Sequence, residues 1–117
     1  MSDPVTGRFD ELVADTPYPG VLRRAFDGQG ATVTAYEFRP GARFPVHRHE
    51  QEQITLIDQG TVRMTIGERE LELAAGGWSV VPPDMAHGIT AGDAGARITA
   101  IIVPRRQAPD AYQEVGG

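Results

Sequence analysis

Three histidines carry the strongest chemistry in this sequence, and all of them fall into one arrangement: His47-Arg48-His49, then Gln53, then His87. In an extended chain, residues two apart share a face. His47 and His49 therefore present both imidazoles to one side, and Gln53 keeps the same parity. If Gln53 opens the next β segment, its amide oxygen reaches the same point. His87 follows the turn Pro82-Pro83-Asp84, as though a later strand brought it back to the first pair. Imidazole is the commonest protein metal ligand, and three ring nitrogens with one oxygen make a divalent-metal site. The same His-x-His also suits two surface histidines on an edge strand, with Arg48, Glu50 and Glu52 on a solvated loop. Spacing alone leaves both readings open.

These residues need elements to place them. Proline and glycine cut the chain at residues 16–20, 27–30, 40–41, 58–60, 67–69, 75–77, 82–84 and 92–95. Between the cuts lie short runs rich in Val, Ile, Thr, Tyr and Phe, at 21–26, 31–39, 53–58, 61–66, 70–73, 78–81 and 96–103. The run 61–66 alternates, with Val62, Met64 and Ile66 on one face and Thr61, Arg63 and Thr65 on the other. Short strands at regular spacing, with no long helical pattern among them, predict a single-domain all-β sandwich or barrel. Phe9, Leu12 and Val13 fall at helical spacing, so a short helix is expected over 8–14, and the polar tail after Pro104 reads as loose or lightly helical. The divisions are an N-terminal extension (1–19), a barrel (20–104) and a C-terminal tail (105–117).

Composition narrows the chemistry. The 117 residues carry a net charge of −5, from 11 basic and 16 acidic residues, and every basic residue is arginine. No basic cluster is available for nucleic acid or anionic lipid, so neither is expected as a partner. No apolar stretch approaches a membrane span and residues 1–20 show no secretory pattern, so a cytoplasmic setting is expected. Without cysteine there is no thiolate nucleophile, disulfide or cysteine–zinc site; without lysine there is no Schiff base and no Walker loop. Neither serine, Ser2 or Ser79, sits in a nucleophile elbow.

Residues 41–60 resemble the first cupin motif, G-x5-H-x-H-x3-E-x6-G, with Gly41, His47, His49 and Gly60 in place and Gln53 where the family has glutamate. Residues 76–87 are similar to the second motif, G-x5-P-x-G-x2-H. Gly76, Pro82 and His87 match, Asp84 replaces the glycine, and Ala91 replaces the closing asparagine. The resemblance covers about residues 20–104. It implies a double-stranded β-helix, the jelly-roll barrel of RmlC-like cupins, holding one divalent transition ion (Mn, Fe, Co, Ni, Cu or Zn) on His47, His49, Gln53 and His87. Gly41, Gly60, Gly76 and Gly77 are expected at turns with positive φ, and Pro82-Pro83 is expected to end a strand.

A carboxamide ligand leaves the ion about one charge unit more positive than a carboxylate would, which favours Lewis-acid chemistry over dioxygen activation. The His-His-Gln-His set looks like that of KdgF-like pectin-degradation cupins, small hydroxynitrile lyases and compact polyketide cyclases. In the uronate group an Asp and a Phe precede the final arginine. Here Ala100 and Ile102 stand in those places and Arg106 matches the arginine, where it could grip a substrate carboxylate. The apolar last strand suits a less polar substrate. The expected activity is isomerase, cyclase or lyase chemistry on a small oxygenated molecule. A metal-dependent dioxygenase and a non-catalytic sugar or small-molecule binder remain the alternatives. Tyr36 and Phe38 could line the pocket or simply pack, Trp78 suits the core or a subunit interface, and Met85 could narrow the entrance. Edge strands in a small barrel need covering, so a homodimer is expected.

Overall fold

The computed structural model describes residues 3–116. Among the described residues nine strands form the fold: β1 (Asp15–Tyr18), β2 (Val21–Asp27), β3 (Thr32–Phe38), β4 (Arg43–Arg48), β5 (Glu52–Ile66), β6 (Arg69–Ala74), β7 (Trp78–Val81), β8 (His87–Val103) and β9 (Gln113–Glu114). All pairings are antiparallel and run in the order β1-β2-β3-β8-β4-β9, with β5 joining β6, β7 and β8. The sheet curls round a core of Val21, Phe38, Phe44, Ile57, Val62, Met64, Ile89, Ala91, Ala96 and Ile98. This is the jelly-roll barrel expected from the sequence. Among the described residues no helix is long and apolar enough to cross a membrane.

Two long strands replace three expected short ones. The runs 53–58 and 61–66 join as β5, and the segment 92–95, expected as a turn, lies inside β8. Opposite it, Gly60 pairs with Ala96 and Val62 with Ala91, so four residues of β8 bulge against Thr61. The bulge bends β8 from its pairing with β3 to its pairing with β4. Gly60 (φ 79) and Gly95 (φ 75) meet at this bend, where a Cβ on Gly60 would lie 2.1 Å from the Gly95 carbonyl oxygen. The glycines that look like a turn are a corner of the barrel.

Other expectations change in detail. The helix over 8–14 shrinks to a single 3₁₀ turn, Phe9–Glu11, because no side chain caps it and Asp15-Thr16-Pro17 enters β1 directly. Gly77 does not have positive φ, whereas Gly41 and Gly76 do. Asp84, in the glycine place of the second motif, adopts φ 63 and donates its backbone N–H to the His49 carbonyl at 2.9 Å. The left-handed turn is therefore kept by one of the few side chains that tolerate it. The tail is neither loose nor helical. β9 pairs with β4 opposite His47 and Arg48, Val115 donates to Val46 (2.9 Å), and Arg106 N–H donates to the buried Thr32 hydroxyl (3.0 Å). Its anchors are aromatic and polar contacts far away in sequence, which local composition does not reveal.

Candidate metal centre

β4 and β8 meet with His47 opposite His87, so the two imidazoles arise from a cross-strand pair with ring centroids 4.3 Å apart. His49 lies one residue beyond the end of β4 rather than in it, yet its ring sits 4.8 Å from that of His87. Gln53 is the second residue of β5, paired with Val81 on one side and Ile102 on the other. Three strands thus bring together residues from positions 47 to 87.

Hydrogen bonds fix how each side chain faces. Nδ1 of His47 donates to the Pro45 carbonyl (2.9 Å), that of His49 to Gln51 (3.0 Å) and that of His87 to Met85 (2.9 Å). A carbonyl can only accept, so every ring carries its proton on Nδ1 and turns a lone pair on Nε2 inward. The Gln53 amide is set the same way. Its Nε2 donates to Thr55 Oγ1 (3.0 Å), leaving Oε1 3.1 Å from Nε2 of both His49 and His87. Thr55 is fully buried, two residues along β5 on the same face as Gln53. Its parity could have marked it as the partner of Gln53 from sequence.

The result is a pocket of acceptors with no donor among them. One nitrogen from each of His47, His49 and His87 lies within 4.8 Å of the others. Lone pairs gathered this way repel unless a cation stands between them. Burial, and then the neighbouring His87, push the His47 pKa down to about 3; burial pushes His87 down to about 4. Both rings are therefore neutral at physiological pH, the form in which imidazole binds metal. The residues fit a divalent ion: three histidines can hold one, and Gln53 Oε1 stands beside them.

Beside the cluster lies a cavity of about 40 Å³. Its walls include Ala100 and Ile102, the two places where an acid and an aromatic ring were expected from the uronate resemblance. Arg106 also lines it. Among the described residues its guanidinium makes no ion pair, although its backbone N–H is tied to Thr32. Tyr36 lines this cavity, and with Phe38 a second void beside His87, so both pack and face the interior. Met85 lies beside Gly67, away from the cavity, and Glu50 and Glu52 are exposed. Trp78 is 67% exposed on β7, which excludes it from the core.

Two features escaped the sequence reading. The tail roofs the cavity with Ala108, Pro109, Ala111 and Tyr112, and the Tyr112 ring stands edge-on to His47 at 5.0 Å. The Tyr112 hydroxyl meets that of Tyr18 at 3.0 Å, and Tyr18 donates to Glu114. Arg23, buried on β2, also reaches the cavity wall. An arginine at an apolar-parity position, two residues after Val21, was the available signal.

Comparison with known proteins agrees with this geometry. The family described as the cupin domain matches residues 35–102. The fold is similar to that of an RmlC-like cupin from Shewanella frigidimarina, at 20% identity and TM-score 0.81, covering 90% of this chain and 95% of that one. It is also similar to KdgF from a Halomonas species, at 25% identity and TM-score 0.78, covering 87% and 97%. A variant of Bacillus subtilis oxalate decarboxylase gives 16% identity and TM-score 0.85 over 97% of this chain, which spans only 34% of that larger one. No curated protein sequence matches the chain.

Proposed function

The chain belongs to the cupin family, and on that premise we propose that it is a metal-dependent enzyme of isomerase, cyclase or lyase type. Its substrate is a small oxygenated organic molecule bound in the barrel. His47, His49, Gln53 and His87 hold the ion. The observation that carries this reading is the orientation of the four groups: backbone carbonyls take every Nδ1 proton and Thr55 takes the amide N–H, so only lone pairs face the centre.

A divalent ion there supplies Lewis-acid polarisation of a carbonyl or hydroxyl. No carboxylate joins the three histidines among the described residues, which favours that chemistry over dioxygen activation. Arg106 binds an acidic group of the substrate, since it faces the cavity without a protein counter-charge. Ala100 and Ile102 leave space and apolar surface. The tail, through Tyr112, shields the cluster from bulk water.

The volume favours a second reading. About 40 Å³ has room for about three water-sized groups, too little for a multi-carbon substrate. A cupin that retains an ion and a small ligand without turning it over suits that closed form. Elemental analysis followed by incubation with candidate hydroxy and keto acids separates the two. Turnover that needs the ion supports the enzyme, and ligand-dependent thermal stabilisation without turnover supports the binder.

The proposed setting is the cytoplasm, and the proposed assembly is a homodimer. Support for the dimer comes from an outer strip of Leu56, Trp78, Val80 and Val103, all exposed, with Leu56 directly paired to Trp78.

A further inference from the structure

Arg23 is a charge where the β2 pattern calls for an apolar residue, and only 3% of it is exposed. Burial works against its positive charge. The two-pronged contact with Asp15, 3.0 Å from Nε to Oδ1, outweighs that and holds its pKa above the ordinary value. The tail grips it from the other side: Asp110 stands 3.5 Å away, and the guanidinium donates to the Pro109 carbonyl at 3.4 Å. A buried guanidinium held by two carboxylates and a carbonyl has a fixed orientation. Across the β2–β3 ladder it stands directly opposite Tyr36.

Tyr36 lines both voids flanking the histidine cluster, and each of those voids is also lined by His47 and Gln53. Its ring stands edge-on to Phe44 at 5.9 Å, and Phe44 lies 4.6 Å from His47. A single aromatic ring therefore separates Tyr36 from the cluster. Around the first of these voids Tyr36 shares the wall with Arg23, Arg106 and Tyr112, two guanidiniums and a phenol. A guanidinium can only donate, so Arg23, directly opposite Tyr36 across β2 and β3, can approach the phenol only at its oxygen and leaves the phenol proton for another acceptor. On β8 the expected carboxylate is absent, because Ala100 occupies its place. Ala100 pairs with Thr34, one inward step along β3 from Tyr36.

We propose that Tyr36, positioned by Arg23, donates a hydrogen bond to the ligand oxygen held at the histidine cluster and stabilises the negative charge that develops on it. The role deepens the metal-dependent reading above and rests on it. Arg23 acts only through Tyr36, and because Asp110 and Pro109 hold Arg23, the tail must be in place for the phenol to be aimed.

Formate, a probe small enough for the cavity, tests this. Wild type and Tyr36→Phe are loaded with cobalt(II), assayed for metal content, and titrated with formate through the cobalt absorption band. Both should carry one equivalent of cobalt, with formate binding at least about tenfold weaker in Tyr36→Phe, the loss of one hydrogen bond to a charged acceptor. A second measurement uses zinc-loaded protein made with 3-fluorotyrosine. The Tyr36 fluorine line should move on adding formate to wild type and stay in place in Arg23→Lys, which keeps the charge but loses the fork. Equal formate affinity at equal cobalt content, a still Tyr36 line in wild type, or no formate binding by cobalt-loaded wild type overturns this inference alone. Failure of wild type to take up cobalt overturns the metal reading beneath it.

Discussion

Thr55→Val isolates the orientation of Gln53 without touching a ligand. The two side chains have nearly the same volume and β-branching, but valine cannot accept the Gln53 amide N–H now held at 3.0 Å. Because Thr55 is fully buried, no solvent replaces it. The stranded N–H costs about 1–3 kcal/mol, and the amide can then turn its nitrogen toward the three imidazoles. An outer-shell partner of this kind changes metal affinity by about 10–100-fold. Competition between the protein and a chromophoric chelator for zinc or cobalt measures it directly. Thr90→Val, on the separate surface groove lined by Arg63 and Glu72, serves as the control. If Thr55→Val binds metal within about twofold of wild type while Thr90→Val does the same, Gln53 does not offer its oxygen to the ion, and the reasoning from amide orientation fails.

The metal-free protein should lose stability on acidification. His47 and His87 have folded pKa values near 3 and 4, below the unfolded value of 6.5, so the unfolded chain takes up protons first. Stability is then full above about pH 6.5 and falls by about 1.4 kcal/mol per pH unit for each ring, until pH drops below each folded value. Urea titrations between pH 7 and 5 should show this slope, halved in His87→Gln; a flat profile would contradict it. Asp84→Gly should leave stability within about 0.5 kcal/mol of wild type, whereas Asp84→Val, forced into the left-handed region at φ 63, should lose about 1–2 kcal/mol in thermal unfolding. Light scattering should find wild type as a dimer and Trp78→Glu as a monomer, because the charge falls in the exposed apolar strip; a monomeric wild type would remove the dimer.

Most of the barrel was legible because its signals are local. Alternation in Thr61–Ile66 of β5 placed Val62 and Met64 inside, and the turns at Pro40-Gly41 and Pro82-Pro83-Asp84 pointed to the motif histidines. The convergence of His47, His49 and His87 was legible only in part: alternation pointed His47 and Gln53 to one side, whereas His49 lies beyond the end of β4 and His87 arrives through its pairing with His47. Long-range closure was not legible. Nothing near residue 112 announces that Tyr112 will stand edge-on to His47, because the contact depends on Tyr18 and Glu114 joining across the length of the chain. The segment 92–95 misled for a related reason: glycine marks a backbone departure, but whether that becomes a turn or a bulge is decided by the strand opposite, here at Gly60. Arg23 announced itself only by standing at an apolar position of β2; its role comes from Asp15, Asp110 and Tyr36 on other elements.

Elemental analysis of the chain after exposure to manganese, iron, cobalt, nickel, copper and zinc, and exhaustive dialysis, bears most directly on the four converging lone pairs. One divalent ion per chain, retained by wild type and lost in His47→Ala at unchanged fold, is the predicted result. A wild-type chain that leaves dialysis free of every one of these ions would contradict it.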